Sequence, residues 1–158
     1  MSDLIHTRRH LLQGSAAVAA SAGLLKLSLA PAQATPATMT VAMQKVLQGA
    51  KPTAGRITID LPPLVENGGT VPMTVSVESP MTASDFVKAI HVFNEKNPQP
   101  QVISATLSPR SGRAEIKTRI RLADTQTIVA LAQMSDGSWF TADAHVIVTI
   151  AACLEDLP

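Results

Sequence analysis

From Gly55 onward, apolar and polar residues alternate along much of the chain, and turn-forming Pro, Gly, Asn and Asp residues interrupt the alternation at short intervals. A period of two places successive side chains on opposite faces of a β-strand. Turn residues at this spacing are typical of short strands joined by tight connections. The pattern predicts strands near residues 56–61, 71–78, 86–94, 101–107, 113–122, 126–134 and 139–150.

Strands in this number, with no helix long enough for a parallel crossover, favour an all-β, immunoglobulin-like antiparallel sandwich. A Greek-key barrel is the competing fold. The chain has a single cysteine, Cys153, so it cannot form the internal disulfide that marks antibody domains. Packing and backbone pairing must therefore hold the fold together.

One helix is expected ahead of the strands, within residues 35–52. Apolar residues recur there at helical spacing: Met39, Met43, Val46, Leu47 and Ala50. Thr38 or Thr40 is the expected N-cap, and Gly49 and Pro52 are expected to end the helix.

Three of the predicted strands, within residues 87–93, 127–134 and 145–150, are apolar on both faces. Phe93, Ile128 and Ile147 lie opposite Val92, Val129 and Val148 in the alternating pattern. A sandwich with one core covers only one face of each strand, so the second face needs a cover. We expect the N-terminal helix or another protein to provide it, and Phe93, Ile128 and Ile147 are the candidate partner-interface residues.

Residues 1–34 have the features of a twin-arginine export signal. Arg8 and Arg9 precede a moderately apolar run, and Ala32 and Ala34 provide the small residues that a signal peptidase requires. Polar residues keep the run below the ~18 unbroken apolar residues of a membrane span. The alternative is a retained amphipathic or membrane helix. The expected organisation is a signal peptide (1–34), a helix (35–52), a β-sandwich (53–150) and a C-terminal arm with Cys153 (151–158).

Charge argues against a general affinity for nucleic acid or anionic membranes. The 158 residues have a formal net charge of +1 and only 3% aromatic residues, and removal of residues 1–34 leaves a net charge near −1. A local basic stripe is still present, formed by Arg113, Lys117, Arg119 and Arg121 on one face of the predicted strand 113–122. The stripe is either a solvated face around Glu115 or a docking patch for an anion or an acidic partner.

No catalytic or metal-binding motif stands out in the sequence. After the expected signal, only His91 and His145 remain as histidines, and each lies alone in a predicted strand. The methionines are spread singly over different elements, which favours a packing role over copper binding. We therefore predict no enzyme activity, metal or cofactor, and a periplasmic metal chaperone is the weaker alternative.

Several short segments are characteristic in combination: residues 55–62, 71–77 with Ser79-Pro80, 88–93 with Asn97-Pro98, 119–123, and Val148-Thr149-Ile150 followed by a cysteine. Together they resemble SoxY, the sulfur-carrier subunit of the bacterial periplasmic thiosulfate-oxidation system. The resemblance implies a sandwich-fold carrier that pairs with a SoxZ-like subunit and holds sulfur intermediates on Cys153. It also implies further partners: a heme-bearing enzyme that couples thiosulfate to the thiol, a hydrolase that releases sulfate, and in some organisms a sulfane dehydrogenase.

The arm differs from the family's usual Gly-Gly-Cys-Gly-Gly terminus. Ala151 and Ala152 precede Cys153, and the segment 154–158 follows it. Alanine restricts the backbone, and Glu155 and Asp156 oppose both thiolate formation and the approach of an anion. A SoxY-like interaction subunit that no longer carries cargo is therefore the alternative function.

Overall fold

The computed structural model describes residues 35–150, which contain one α-helix and nine β-strands. Helix α1 spans Pro36–Leu47. The strands are β1 Thr53–Ala54, β2 Ile57–Asp60, β3 Leu64–Asn67, β4 Val71–Val77, β5 Val87–Asn94, β6 Gln101–Thr106, β7 Glu115–Ile120, β8 Gln126–Met134 and β9 Trp139–Ile150. The predicted export signal and Cys153 lie outside the described residues. The described helix is too short and too polar to cross a membrane.

The strands form two sheets. The larger has the order β1-β9-β8-β5-β6, with β3 also paired to β9, and the smaller has the order β2-β4-β7. Between residues 35 and 150, no strand pairing joins one sheet to the other. The architecture is therefore the predicted immunoglobulin-like sandwich and not the competing Greek-key barrel.

The seven predicted strands are all present, and those at 126–134 and 139–150 have the expected ends. The prediction for residues 113–122 is the least accurate, because β7 spans only Glu115–Ile120. Two further strands, β1 and β3, were not expected, and both pair in parallel with β9. They contain two and four residues, too few for a recognisable alternation, and their pairing partner lies far along the chain.

The main core lies between the two sheets. Alternate residues of β4 are buried against β5 and β8, as the period of two predicts. Val75, Ile90 and Ile128 have no exposed surface. Met73, Met81 and Met134 are also buried here, so these methionines fill the core.

Helix α1 begins one turn earlier than expected. Its N-cap is Thr35, whose side chain accepts a hydrogen bond from the Thr38 amide at 3.3 Å. The Thr38 hydroxyl in turn accepts from the Thr35 amide at 2.6 Å, which completes a capping box. The prediction of Thr38 or Thr40 as N-cap is therefore wrong, because both lie inside the helix, behind Pro36. The C-cap is Gln48 in the left-handed conformation, with φ of 50°.

The helix covers the outer face of the large sheet. Met39 packs with Phe93, Val129, Leu131 and Trp139 in a second apolar cluster. The N-terminal helix thus provides the cover for β5, the middle of β8 and the start of β9.

The assignment of Phe93 and Ile128 to one exposed face was wrong. Ile128 points into the core between the sheets, whereas Phe93 lies under the helix. Both are completely buried within the chain, so neither offers surface to a partner. Ile147 lies beyond the helix and is 48% exposed. The partner interface predicted from these three residues is therefore reduced to Ile147.

Candidate functional site

The end of β9 fixes the point at which the C-terminal arm begins. Asn67 of β3 is the register partner of Ile150, and the Gly68 amide donates a hydrogen bond of 2.9 Å to the Ile150 carbonyl. The Thr149 hydroxyl adds a bond of 3.0 Å to the Glu66 carbonyl. Cys153 lies three residues farther along the chain, outside the described residues. Three residues span at most ~10 Å, so the fixed point limits where the thiol can go.

The same glycine connects the end of β9 to the end of β7. The Leu122 amide donates a hydrogen bond of 2.9 Å to the Gly68 carbonyl, while the Gly68 amide binds Ile150. Backbones joined by such a hydrogen bond lie ~4.8 Å apart, so two steps place Leu122 at most about 10 Å from Ile150. The arm therefore begins beside the end of the basic stripe, at Arg121.

The four stripe residues, Arg113, Lys117, Arg119 and Arg121, are all exposed, as the alternation predicts. On the opposite face, Ala114, Ile120 and Leu122 are buried. Lys117 contacts Glu115 at 3.3 Å across a solvated surface, and such pairs contribute little to stability.

The stripe is divided by the shape of the surface. Arg119 and Arg121 line a cleft of ≈ 430 Å³ between the edge strands β6 and β7, together with Asn94 and Asn97. Arg113 and Lys117 lie outside this cleft. Lys117 lines a separate depression over β4 and β7, which Arg119 also borders. Of the four stripe residues, only Arg119 and Arg121 therefore border the cleft between β6 and β7.

Asn97 forms one wall of the cleft, and both ends of its amide are hydrogen-bonded. Its Nδ2 donates to the Arg121 carbonyl at 2.7 Å, and its Oδ1 accepts from the Ala123 amide and from Gln126 Nε2, both at 3.0 Å. Gln126 is 1% exposed, and its Oε1 accepts from the Lys96 amide at 3.0 Å. These bonds hold the loop after β5 against the segment after β7.

An apolar pair lies on the outer face of the large sheet, close to the start of the arm. Leu64 of β3 is the register partner of Ile147, and the two are 58% and 48% exposed. Adjacent exposed aliphatic side chains of this kind are candidates for contact with another protein. Leu64 was missed by the sequence analysis because β3 was not recognised as a strand.

His91 packs on the outer face of β5, half-buried. Its Nδ1 lies 2.6 Å from the Ser104 hydroxyl, and its ring stacks on Trp139 at a centroid distance of 6.0 Å. Burial lowers the pKa of His91 below its usual value of 6.5. His145 is exposed. Within residues 35–150, no three His, Cys, Asp or Glu side chains come together as a metal site.

Comparison with known families gives a match to the sulfur oxidation protein SoxY over residues 43–153. The chain belongs to the SoxY family. The matched segment includes the last five residues of helix α1 and all nine strands, and its last residue is Cys153. The resemblance noted in the sequence is thus confirmed.

Among solved structures, the chain is similar to the sulfur carrier protein SoxY from Chlorobium limicola f thiosulfatophilum, with 28% identity and a TM-score of 0.62. The alignment covers 73% of this chain and 100% of that one. A superoxide reductase from Ignicoccus hospitalis aligns with 16% identity and a TM-score of 0.54, over 73% of this chain and 94% of the reductase. At that identity the reductase shows a shared fold alone. A search of the curated proteins gives no match.

Proposed function

We propose that this SoxY-family chain is a periplasmic sulfur carrier that binds sulfur-oxidation intermediates covalently on Cys153 and presents them to partner enzymes. The observation that carries the proposal is the family match, which extends through the arm to Cys153. The similarity to a sulfur carrier of known structure supports the same role.

The loading step would join the thiol of Cys153 to the outer sulfur of thiosulfate. The S–H bond breaks, an S–S bond forms, and the products are a cysteine thiosulfonate, one proton and two electrons. A heme-bearing partner accepts the electrons. Hydrolysis of the terminal S–S bond by a second partner then releases sulfate and leaves a persulfide on Cys153, with water supplying the fourth sulfate oxygen. In both steps this chain is the substrate platform and not the catalyst.

The fixed end of β9, from which the arm starts, suits such a platform. Hydrogen bonds from Gly68 and Thr149 fix the last residues of β9, whereas Cys153 lies three residues beyond. A thiol on a short tether with a fixed origin can enter a partner's active site while the sandwich stays outside. Export in the folded state by the twin-arginine route would deliver this carrier to the periplasm.

A SoxZ-like subunit is the proposed permanent partner. Helix α1 already covers much of the outer face of the large sheet, so the exposed pair Leu64 and Ile147 is the part that remains for a second sandwich to cover. The pair lies on the strands next to the arm. A partner bound there would leave the cleft at β7 open.

The test is enzymatic loading followed by intact-mass measurement. The exported chain with its SoxZ-like partner is incubated with thiosulfate and a heme-bearing coupling enzyme, beside a carrier that ends in Gly-Gly-Cys-Gly-Gly. We expect a thiosulfonate adduct that is reversed by thiol reductant and absent from Cys153→Ser. A bare Cys153 under conditions that load the standard carrier would contradict the proposal.

The second candidate is an interaction subunit without cargo, favoured by the Ala-Ala-Cys-Leu-Glu sequence of the arm. It predicts unchanged binding of the SoxZ-like partner and no adduct on Cys153. The same experiment therefore separates the two functions.

A further inference from the structure

Asn67, the last residue of β3, is followed by two glycines in the turn that leads to β4. Asn67 is exposed, and its side chain folds back over this turn, where Oδ1 accepts a hydrogen bond of 2.7 Å from the Gly69 amide. The bond closes a ring of atoms that contains both the side-chain amide carbon of Asn67 and the Gly68 nitrogen. These are the two atoms that join when an asparagine cyclises to a succinimide.

Two features of the turn favour this cyclisation. Gly68 has no side chain to hinder the approach of its nitrogen to the Asn67 amide carbon. The hydrogen bond from Gly69 stabilises the negative charge that develops on Oδ1 as the nitrogen attacks. The electrophile is therefore already activated in the folded chain.

The nucleophile, by contrast, is held by the end of β9. The Gly68 amide donates a hydrogen bond of 2.9 Å to the Ile150 carbonyl, and Gly68 is buried although Asn67 is exposed. The amide nitrogen must lose its proton to attack, so it reacts only after the bond to Ile150 has opened. Cyclisation therefore requires a local opening that also releases the end of β9.

The other two asparagines of the chain lack this combination. Asn97 precedes Pro98, whose nitrogen has no proton to lose. Asn94 is 1% exposed and precedes Glu95, whose side chain restricts the backbone. Asn67 is thus the asparagine that has the exposed side chain and the following glycine that the reaction needs.

We propose that Asn67 is a deamidation site controlled by the hydrogen bond between Gly68 and Ile150. The Gly68 nitrogen bonds to the side-chain amide carbon of Asn67, and the side-chain nitrogen leaves as ammonia with the Gly68 proton. Water then opens the succinimide at either of its carbonyls, which gives aspartate or isoaspartate. No electrons are transferred, since the net reaction consumes water and releases ammonia. The inference does not rest on the carrier function of Cys153.

The isoaspartate product is expected to keep the end of β9 released. Isoaspartate adds one methylene group to the main chain between β3 and Gly68. In the unmodified chain the Gly68 amide and carbonyl bind Ile150 and Leu122 at 2.9 Å each, and a longer main chain shifts both groups away from these partners. The reaction therefore turns a transient opening into a permanent one.

The first experiment locates the reaction. The exported chain is incubated at neutral and mildly alkaline pH and digested with trypsin, which places the three asparagines in separate peptides, residues 57–88, 89–96 and 97–110. We expect deamidation, measured by mass, at Asn67 in peptide 57–88 alone, and faster at higher pH because the Gly68 nitrogen must lose a proton. Hydroxylamine, which cleaves succinimides, should cut the chain after Asn67. Asn67→Gln should show neither effect.

Two threonine variants test the control by the end of β9. Thr149→Val removes the 3.0 Å bond from the Thr149 hydroxyl to the Glu66 carbonyl, and Thr141→Val makes the same change in β9 far from Ile150. Loss of one hydrogen bond should let Thr149→Val deamidate about two- to tenfold faster, while Thr141→Val should match the parent protein. Melting curves check that both variants fold. If Thr149→Val does not fold, deamidation and exchange of the Gly68 amide hydrogen are followed in low urea, where both rates should rise together.

Hydrogen exchange measures the consequence of the reaction. The Gly68 and Leu122 amides should exchange faster in the deamidated fraction than in the fresh chain. The Met134 amide, which binds the Ser138 carbonyl at 2.9 Å in the hairpin between β8 and β9, is the control and should not change. Unchanged exchange at Gly68 and Leu122 would contradict the release of β9.

Three further outcomes would overturn the proposal. The first is an unmodified peptide 57–88 from the folded chain when the chain unfolded in urea deamidates there. The second is an equal rate in the folded and unfolded chains, since the bond to Ile150 would then exert no control. The third is an equal rate in the parent protein and a folded Thr149→Val.

Discussion

The Gly68 amide donates a 2.9 Å hydrogen bond to the Ile150 carbonyl, which ties the end of β9 to the turn between β3 and β4. This contact defines where the arm begins and places it beside β7. Because the origin of the arm is fixed, its sequence determines how freely Cys153 moves. The first prediction therefore concerns the arm.

Replacing Ala151 and Ala152 with Gly, and residues 154–158 with two glycines, should increase loading of Cys153. The change frees the backbone and removes the carboxylates of Glu155 and Asp156. At a dielectric near that of water, each carboxylate would oppose a nearby thiolate by on the order of 0.5 kcal/mol, so removing both should give less than about tenfold more thiolate. Loading rates measured by intact mass check this.

A chain shortened after Cys153, with Ala151 and Ala152 retained, separates the electrostatic effect of the carboxylates from the effect of access to the partner enzyme. A larger gain than the electrostatic limit in this variant would come from access to the partner's active site. If neither variant loads while a standard carrier does, the interaction-subunit function is the correct one.

Leu131→Ala should destabilise the protein by about 2–5 kcal/mol, because Leu131 is fully buried between helix α1 and the large sheet. Val41 lies on the same helix and is 51% exposed, so Val41→Ala should change the free energy of unfolding by less than about 0.5 kcal/mol. Urea denaturation measures both. Equal, small effects would mean that the helix does not pack on the sheet in solution.

Folding stability should fall in mild acid because of His91. Its pKa is lowered in the folded state by burial, so the unfolded chain binds a proton first, near pH 6.5. The stability that neutral His91 contributes to the folded protein is fully present above pH ~6.5. It is lost as the pH falls through the lower pKa of His91 in the folded state. His91→Gln should flatten this part of the pH profile of the melting temperature. His145→Gln, at an exposed position, is measured beside it as the control for replacing a histidine with glutamine.

Leu64→Gln combined with Ile147→Gln should weaken binding of the SoxZ-like partner by about tenfold or more, because it removes adjacent apolar contacts from the proposed interface. Both side chains are largely exposed in the lone chain, so its melting temperature should change little. Val41→Gln is the matched control. Sedimentation of the mixed subunits measures binding, and unchanged affinity in the double variant would place the interface elsewhere.

Asn94→Leu should stabilise the protein by about 1 kcal/mol, since it replaces a buried amide with an unpaired oxygen by an apolar side chain of similar size. Thermal melts of the variant and of the parent protein check this effect. A clear loss of stability would show that the Asn94 oxygen is already paired in the folded protein.

The sequence alone determined the all-β class, the positions of seven strands and the faces of β4 and β7, because alternation records local exposure directly. It also determined Cys153 as the candidate attachment residue, since the family resemblance is carried by short segments along the chain. These properties depend on neighbours within a few residues.

Only the tertiary structure decided which helix or sheet of the chain covers each apolar residue. Phe93 and Ile128 have the same hydrophobic character in the sequence, yet one is buried by the helix and the other by the opposite sheet. Strand β3 forms through pairing with a distant strand, and the cleft needs Asn94 and Arg119 from different sheets. Contacts between remote segments leave no periodic pattern in the sequence, which is the physical reason that the cleft and the start of the arm became visible only in the fold.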